Sequence, residues 1–364
     1  MSLPVNMHVM IIAEAGVNHN GSMDMSCKLI DVAAEAGADV VKFQSFRADQ
    51  IISSHAPKAA YQTRTTDAGE SQLEMVRKLE LSEEDHASLM AHARSRGVGF
   101  MSTPFDLPSL LMLTQRLHLE TIKVSSGDIT NAPLLLEMAR TGARVILSTG
   151  MSTMGEVEAA LGVLAFGYIA SKGEEPSTAS FRAALASDAG QKALRHRVSL
   201  LHCTTEYPAP YADVNLKAMD TMGRKFGLPM GLSDHTPGIH IPIAAVARGA
   251  QIIEKHFTLD RELPGPDHAA SLEPVELKQM VRAIRDVQAA LGDGEKQPSP
   301  SEMANHHIVR RSLVAAREIK AGKKFGPEDL IAKRPGDGLS PFFYWEMIGK
   351  VANRNYMIDE AIEL

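Results

Sequence analysis

The plainest chemistry in this 364-residue sequence rests on two histidines. His235 and His256 each follow a short apolar run, Met230–Leu232 and Gln251–Glu254. If those runs are neighbouring strands, the two imidazoles stand side by side. Neutral imidazole is a common ligand for borderline divalent ions. Two nitrogen ligands without a thiolate leave the other positions to water or substrate oxygens, an open catalytic site for Mn²⁺ or a similar ion rather than a closed zinc centre. The same spacing also fits two hydrogen-bonded histidines beneath loops. Asp234 and Asp267 are nearby acceptors for metal-bound histidines or waters. Lys42 and Lys123 fall inside strand-like runs, and a buried ammonium is costly unless it is paired. An anionic substrate, a phosphate above all, would supply the pair. The hydroxyls of Thr103, Ser126, Ser148 and Ser233 could donate to the same oxygens, although any one serine also reads as a strand-end cap. Gln44 shares a face with Lys42. Cys203 has no base partner and reads as packing, as do His19, His55, His202 and His240 as core or surface residues.

The elements that must position these groups are short β-rich runs alternating with helical stretches. Strands are expected at His8–Ala13, Asp39–Phe43, Val98–Met101, Thr121–Val124, Arg144–Leu147, Val198–Leu201, Met230–Leu232 and Gln251–Glu254. Val and Ile without strict alternation suggest burial on both faces, as in a parallel sheet. Eight such units over roughly 290 residues predict a (β/α)8 TIM barrel, in which functional side chains gather at the C-terminal strand ends. Polar residues do collect there, from Glu14 after the first run to Asp128 after the fourth and Tyr207 after the sixth. An open doubly wound sheet is the competitor, but no G-x-G-x-x-G follows the first run. Ile51–Gln72, with His55, Tyr61 and Arg64, is long and polar and reads as a lid. Gly167–His196 reads as surface elaboration. The domains predicted are a barrel over 1–291, a polar linker over 292–307 and a small mainly-β domain over 308–364.

Composition narrows the function. With 38 Lys+Arg against 44 Asp+Glu, the net charge is −6, which argues against a nucleic-acid binder. No apolar run approaches the ~20 residues that span a bilayer. Met1–Met10 lacks the basic residues of a secretory signal, and two cysteines, Cys27 and Cys203, fit reduced thiols in a cytoplasmic chain.

Several motifs resemble the sialic acid synthase family. They are Glu14-Ala-Gly-Val-Asn-His-Asn-Gly21, Val41-Lys-Phe-Gln44, Ser102-Thr-Pro-Phe105, Lys123-Val-Ser-Ser-Gly127, Leu147-Ser-Thr-Gly-Met151, His202-Cys-Thr-Thr-Glu-Tyr-Pro208, Gly231-Leu-Ser-Asp-His235, Glu254-Lys-His-Phe-Thr258 and Pro264-Gly-Pro-Asp267. Lys333-Arg-Pro-Gly-Asp-Gly338 is similar to the family's C-terminal antifreeze-like, or SAF, domain. The resemblance implies condensation of phosphoenolpyruvate with an open-chain N-acetylated amino sugar. N-acetylmannosamine is the first reading, giving N-acetylneuraminate and phosphate. It implies Mn²⁺ or Mg²⁺ on His235 and His256. It implies phosphoenolpyruvate on Lys42, Thr103, Lys123, Ser126, Ser148 and Ser233, and sugar on Glu14, Gln44, Tyr207 and Asp267. Arg334 is similar to an arginine that reaches the partner's barrel in a domain-swapped homodimer. Asp128 stands where some members have Glu, and Thr205 where some have Asn. Proton transfer is left between Glu14 and Asp128. Motifs in 59–81 and 204–210 also resemble legionaminic acid synthases, whose acceptor is a diacetamido-trideoxy hexose. A metal-dependent aldolase, or a different phosphoenolpyruvate-condensing synthase, is the competing enzyme reading, and neither would explain the C-terminal motif. Ice binding needs a weakly charged face, and 19 charges from Glu302 onward argue against it.

Overall fold

Alternating apolar strands and amphipathic helices produce a ring. The computed structural model describes residues 8–58, 69–171 and 173–363. The strands are β1 (Met10–Gly16), β2 (Val40–Ser45), β3 (Gly99–Pro104), β4 (Thr121–Val124), β5 (Arg144–Ser148), β6 (Val198–Cys203), β7 (Met230–Asp234) and β8 (Ile252–His256). Their order in the sheet is β3-β2-β1-β8-β7-β6-β5-β4, with every ladder parallel. β3 and β4 lie side by side and close the ring. This is the expected (β/α)8 architecture.

Helices cover the outside. Met23–Ala36 is typical: Ser22 caps its start by accepting from the Met25 N–H at 3.3 Å, and Gly37 ends it in the left-handed region at φ 80°. Its Leu29, Ile30 and Ala33 join Ile11, Val41, Leu200, Leu232 and Ile253 in the main core between strands and helices. The segment 167–196 carries helices Thr178–Ala186 and Asp188–Arg197, with Phe181 packed edge-on against Phe166. Among the described residues, no helix is long and apolar enough to cross a membrane.

Seven of the eight strands end two or three residues, or in β5 one residue, beyond the expected runs. The apolar criterion stops where the inward face turns polar, but the parallel ladder continues through those polar residues. The readings for Tyr61, Arg64 and Met1–Met7 lie outside the described residues.

The chain divides into two compact units, Met1–Gly292 and Asp293–Leu364. Part of the stretch read as linker is helical, because Ser299 and Glu302 form a capping box that starts a helix over Pro300–Val309. In the second unit, β9 (Ser312–Ala315) pairs antiparallel with β10 (Leu330–Lys333). Leu313, Ile319, Phe325, Leu330, Tyr356 and Ile362 form its separate core. Buried Asp329 ties the turns together by accepting from Arg317, Lys323 and the Gly326 N–H.

Candidate active site

Side chains inside the barrel repeat every second residue. The lower layer is apolar: Ile12, Met101, Ile146, Leu201 and Ile252 pack together, with Met10 and Val40 against them. Two residues further along the same faces stand Glu14, Lys42, Thr103, Ser148, Cys203 and Glu254, so the interior turns from a closed floor to a polar chamber. Gly231 completes the floor on β7. A Cβ there would lie 2.3 Å from the Ile252 carbonyl oxygen and 2.6 Å from Leu201 Cδ2, so no larger residue fits. Above the floor is a cavity of about 330 Å³.

Two ammoniums and two carboxylates share this chamber. Lys42 Nζ lies 2.6 Å from Glu14 Oε2 and 3.6 Å from Glu254 Oε2, and it donates to Thr103 Oγ1 at 3.1 Å. Lys123 Nζ donates to Ser148 Oγ at 2.7 Å and to the Val124 carbonyl at 3.2 Å, and lies 3.4 Å from Glu254 Oε1. Ser233 Oγ donates to that same Glu254 oxygen at 2.9 Å. The expectation that only a bound anion neutralises the lysines is therefore corrected: Glu14 and Glu254 do so within the chain. Glu254 was missed as a site residue. Its signal was the two-residue spacing to His256 on one strand.

Burial and neighbours drive the two acids apart. Burial pushes the Glu14 carboxyl up, Lys42 opposes this, Glu254 adds to it, and the result is about 7. Glu254 is equally buried, yet Lys123, Lys42 and Ser233 hold it down at about 2. Burial lowers Lys123 in spite of Glu254, whereas Glu14 and Glu254 outweigh burial and raise Lys42. Gln44 Nε2 donates to Glu14 Oε1 at 3.3 Å, fixing the carboxylate's second oxygen.

The histidines stand at the mouth. The centroids of the His235 and His256 rings are 5.4 Å apart, and the Tyr207 ring lies 4.1 Å from His235 and 5.6 Å from His256. His235 Nδ1 bonds the Thr204 carbonyl at 2.7 Å. A carbonyl only accepts, so Nδ1 carries a proton, and in the neutral ring the lone pair is then on Nε2. Burial lowers the His235 imidazole, but Cys203 and the Thr204 carbonyl outweigh it and raise it above the usual range. His256 Nδ1 is buried with no hydrogen-bond partner, and Asp267 Oδ2 lies 3.7 Å away. Burial, then His235 and Lys42, hold the His256 imidazole well below its usual range and so neutral. Burial pushes Asp267 up to about 6, opposed by His235 and Lys42. Among the described residues no group of three or more His, Cys, Asp or Glu is arranged around an ion. Two adjacent imidazoles, His256 held neutral with an orphaned buried nitrogen and His235 able to offer Nε2 once its second proton is displaced, nonetheless fit a divalent ion that takes its other ligands from water or substrate.

The remaining candidates divide. Ser126 Oγ accepts from the Gly150 N–H at 2.9 Å and faces the cavity, as does Thr205, whose buried Oγ1 has no hydrogen-bond partner. Asp128 does not line the cavity. It ends a short 3-10 turn and accepts from Asn131 Nδ2 at 3.2 Å, which corrects its placement at the site. Asp234 also points elsewhere, to Lys255. Arg334 follows β10 in the second unit and is exposed. One wall of the cavity is apolar, with Val17, Phe46, Ile51, Met75, Val76 and Phe105.

Residues 29–296 match the NeuB family, and residues 310–362 match the SAF domain. The chain is 50% identical to the N,N'-diacetyllegionaminic acid synthase of Campylobacter jejuni, covering 97% of this chain and 98% of the relative. It is 43% identical to the Legionella pneumophila protein of the same name, covering 96% and 92%. It is 33% identical to human N-acetylneuraminate-9-phosphate synthase, covering 93% and 87%. Among solved structures, the N-acetylneuraminic acid (sialic acid) synthetase of Leptospira borgpetersenii superposes with a TM-score of 0.66 at 33% identity, covering 82% of this chain and 90% of that one.

Proposed function

The chain belongs to the NeuB family of phosphoenolpyruvate-condensing sugar-acid synthases, and from that premise we propose that it makes N,N'-diacetyllegionaminate and phosphate from phosphoenolpyruvate, water and a diacetamido-trideoxy hexose. The observation that carries the choice of acceptor is the 50% identity, nearly end to end, to a synthase of that name, against 33% to the human N-acetylneuraminate-9-phosphate enzyme. This displaces N-acetylmannosamine, the first reading of the motifs. The apolar wall supports the choice, since a deoxy carbon and two acetamido methyls offer it carbon rather than hydroxyl.

The reaction joins C3 of phosphoenolpyruvate to the acceptor's aldehyde carbon. Water then adds at C2, and cleavage of the C2–O bond releases phosphate and leaves the keto acid. Lys42 and Lys123, with Thr103, Ser126, Ser148 and Ser233, hold the phosphate and carboxylate of phosphoenolpyruvate just above the floor. Tyr207, Gln44 and Asp267 orient the sugar one layer higher. A divalent ion such as Mn²⁺ or Mg²⁺, held by His235 and His256, would supply Lewis acidity at the aldehyde oxygen. Glu14 takes the proton of the attacking water. A carboxyl poised near 7 suits that exchange, and Asp128, outside the cavity, is set aside. Holding both substrates together supplies much of the acceleration. Arg334, carried by the SAF domain, completes the site of a neighbouring subunit in a domain-swapped homodimer.

The test offers each acceptor separately and identifies the product by mass while phosphate release is followed. Faster condensation with the diacetamido-trideoxy hexose is expected. A higher kcat/KM with N-acetylmannosamine would overturn the choice of acceptor.

A further inference from the structure

We propose that the buried Asp234–Lys255 pair, behind the barrel wall, is a positioning device that sets His235 and His256 at the separation a divalent ion requires. It rests on reading those histidines as the metal ligands. Asp234 immediately precedes His235, and Lys255 immediately precedes His256. The two are register partners in the β7–β8 ladder. Neighbouring residues of a strand point to opposite faces, so the Ser233–Glu254 contact lies inside the barrel and Asp234–Lys255 lies outside it. Lys255 Nζ is 2.5 Å from Asp234 Oδ2, and both side chains are almost completely buried.

The contacts close a loop around His235. Lys255 Nζ also donates to the Thr236 carbonyl oxygen. The Thr236 N–H donates to Asp234 Oδ1 at 3.2 Å, and Thr236 Oγ1 to Asp234 Oδ2 at 3.0 Å. The residues on both sides of His235 are thus tied from behind to the residue that precedes His256. None of the three lines the cavity. Stability does not account for the pair. Burying two charges costs about as much as their attraction returns, and an apolar pair of similar volume is often as stable or more so. Two residues earlier in the same ladder, Leu232 opposite Ile253 fills the outer face with carbon alone. What an ion pair with three further hydrogen bonds supplies, and an aliphatic pair does not, is a fixed distance and orientation. Metal sites depend on such support behind their ligands.

The experiment measures Mn²⁺ binding by chelator-stripped full-length protein, from the electron paramagnetic resonance signal of free Mn²⁺. Wild-type protein binds and His235→Ala does not. Thr236→Val, which keeps the volume but loses the hydroxyl, is expected to weaken Mn²⁺ several-fold, and Thr236→Ser to retain it. Asp234→Asn with Lys255→Met removes both charges together and is expected to raise the Mn²⁺ Kd about 10- to 100-fold, the range for support behind metal ligands. Leu277→Ala, buried in the helix Pro274–Ala290, serves as a destabilised control and should keep wild-type affinity. The proposal is overturned if the double variant and Thr236→Val bind Mn²⁺ like wild type, or if Leu277→Ala loses as much affinity. Should the double variant not fold, the Thr236→Val and Thr236→Ser comparison decides alone. Wild-type protein that binds no Mn²⁺ refutes the metal reading, and this proposal with it.

Discussion

Glu254→Gln isolates the charge that the two lysines share. The amide keeps the side-chain volume and an acceptor for Ser233, and removes the negative charge 3.4 Å from Lys123 and 3.6 Å from Lys42. A carboxyl held at about 2 instead of 4.5 contributes about 3 kcal/mol at neutral pH, at roughly 1.36 kcal/mol per pH unit. That agrees in scale with the ~3–5 kcal/mol lost when one partner of a buried pair is removed. At ~2–4 °C per kcal/mol, the barrel should melt roughly 6–12 °C lower. The sign of the ligand effect is a second readout. With only Glu14 left to balance two ammoniums, the chamber becomes more positive, so phosphoenolpyruvate should raise the variant's melting temperature more than the wild type's. A ligand at ~100 times its Kd returns about 2.7 kcal/mol, enough to recover most of the loss. Scanning calorimetry with and without phosphoenolpyruvate measures both. A variant that melts within a degree of wild type, with the same ligand shift, would refute the shared-carboxylate account.

Lys123→Met should weaken phosphoenolpyruvate far more than the sugar, read by calorimetry; equal losses for both substrates would count against its assignment. Acid should destabilise the chain in a defined window. Burial holds His19 and His268 neutral at about 4, and His86 is lowered for the same reason, against ~6.5 unfolded. Their contribution is complete above about pH 6.5 and is lost as pH falls towards 4, because the unfolded chain binds the protons first. Denaturant melts across that range should show stability falling with pH; a flat profile would mean these imidazoles are solvated. Mixing Arg334→Ala and His235→Ala chains under subunit exchange should restore up to about a quarter of wild-type activity if the domains are swapped, because one site per heterodimer is intact. Verified heterodimers without recovery would place Arg334 within its own subunit's site or outside any.

The barrel was legible because eight Val- and Ile-rich runs with helical crossovers leave few alternatives. Less legible was where each strand stops. Ser102-Thr-Pro104 and Ser233-Asp234 look like loop in an apolar count, yet they belong to β3 and β7 because the inward face of a parallel ladder can turn polar without breaking it. Glu254 was hidden for the same reason. It was read as the last residue of a strand, while its alternation with His256 already placed both on one face. Alternation would also have sent Asp234 outward, between inward Ser233 and His235. Asp128 had no such guide. A one-turn 3-10 segment has no period, and only Asn131, three residues on, hinted at a local bond. The apolar wall proposed to select the acceptor is drawn from β1 to β3 and the segments that follow them, and no short motif encodes a wall.

Among the described residues, the apolar floor shuts the chamber at its base and leaves it open at the level of the histidines. Ile12, Met101, Ile146, Leu201 and Ile252 shut its base, and the lysines sit directly above them, one strand repeat beneath the level of the histidines. Whatever the lysines hold must pass the histidines to reach them, and whatever rests at the histidines stands in that path. A vessel of this shape imposes a queue. If the proposed substrates bind as described, the anion is expected to enter before the sugar, a sugar that arrives first should block the way down, and excess acceptor should therefore inhibit turnover competitively with phosphoenolpyruvate.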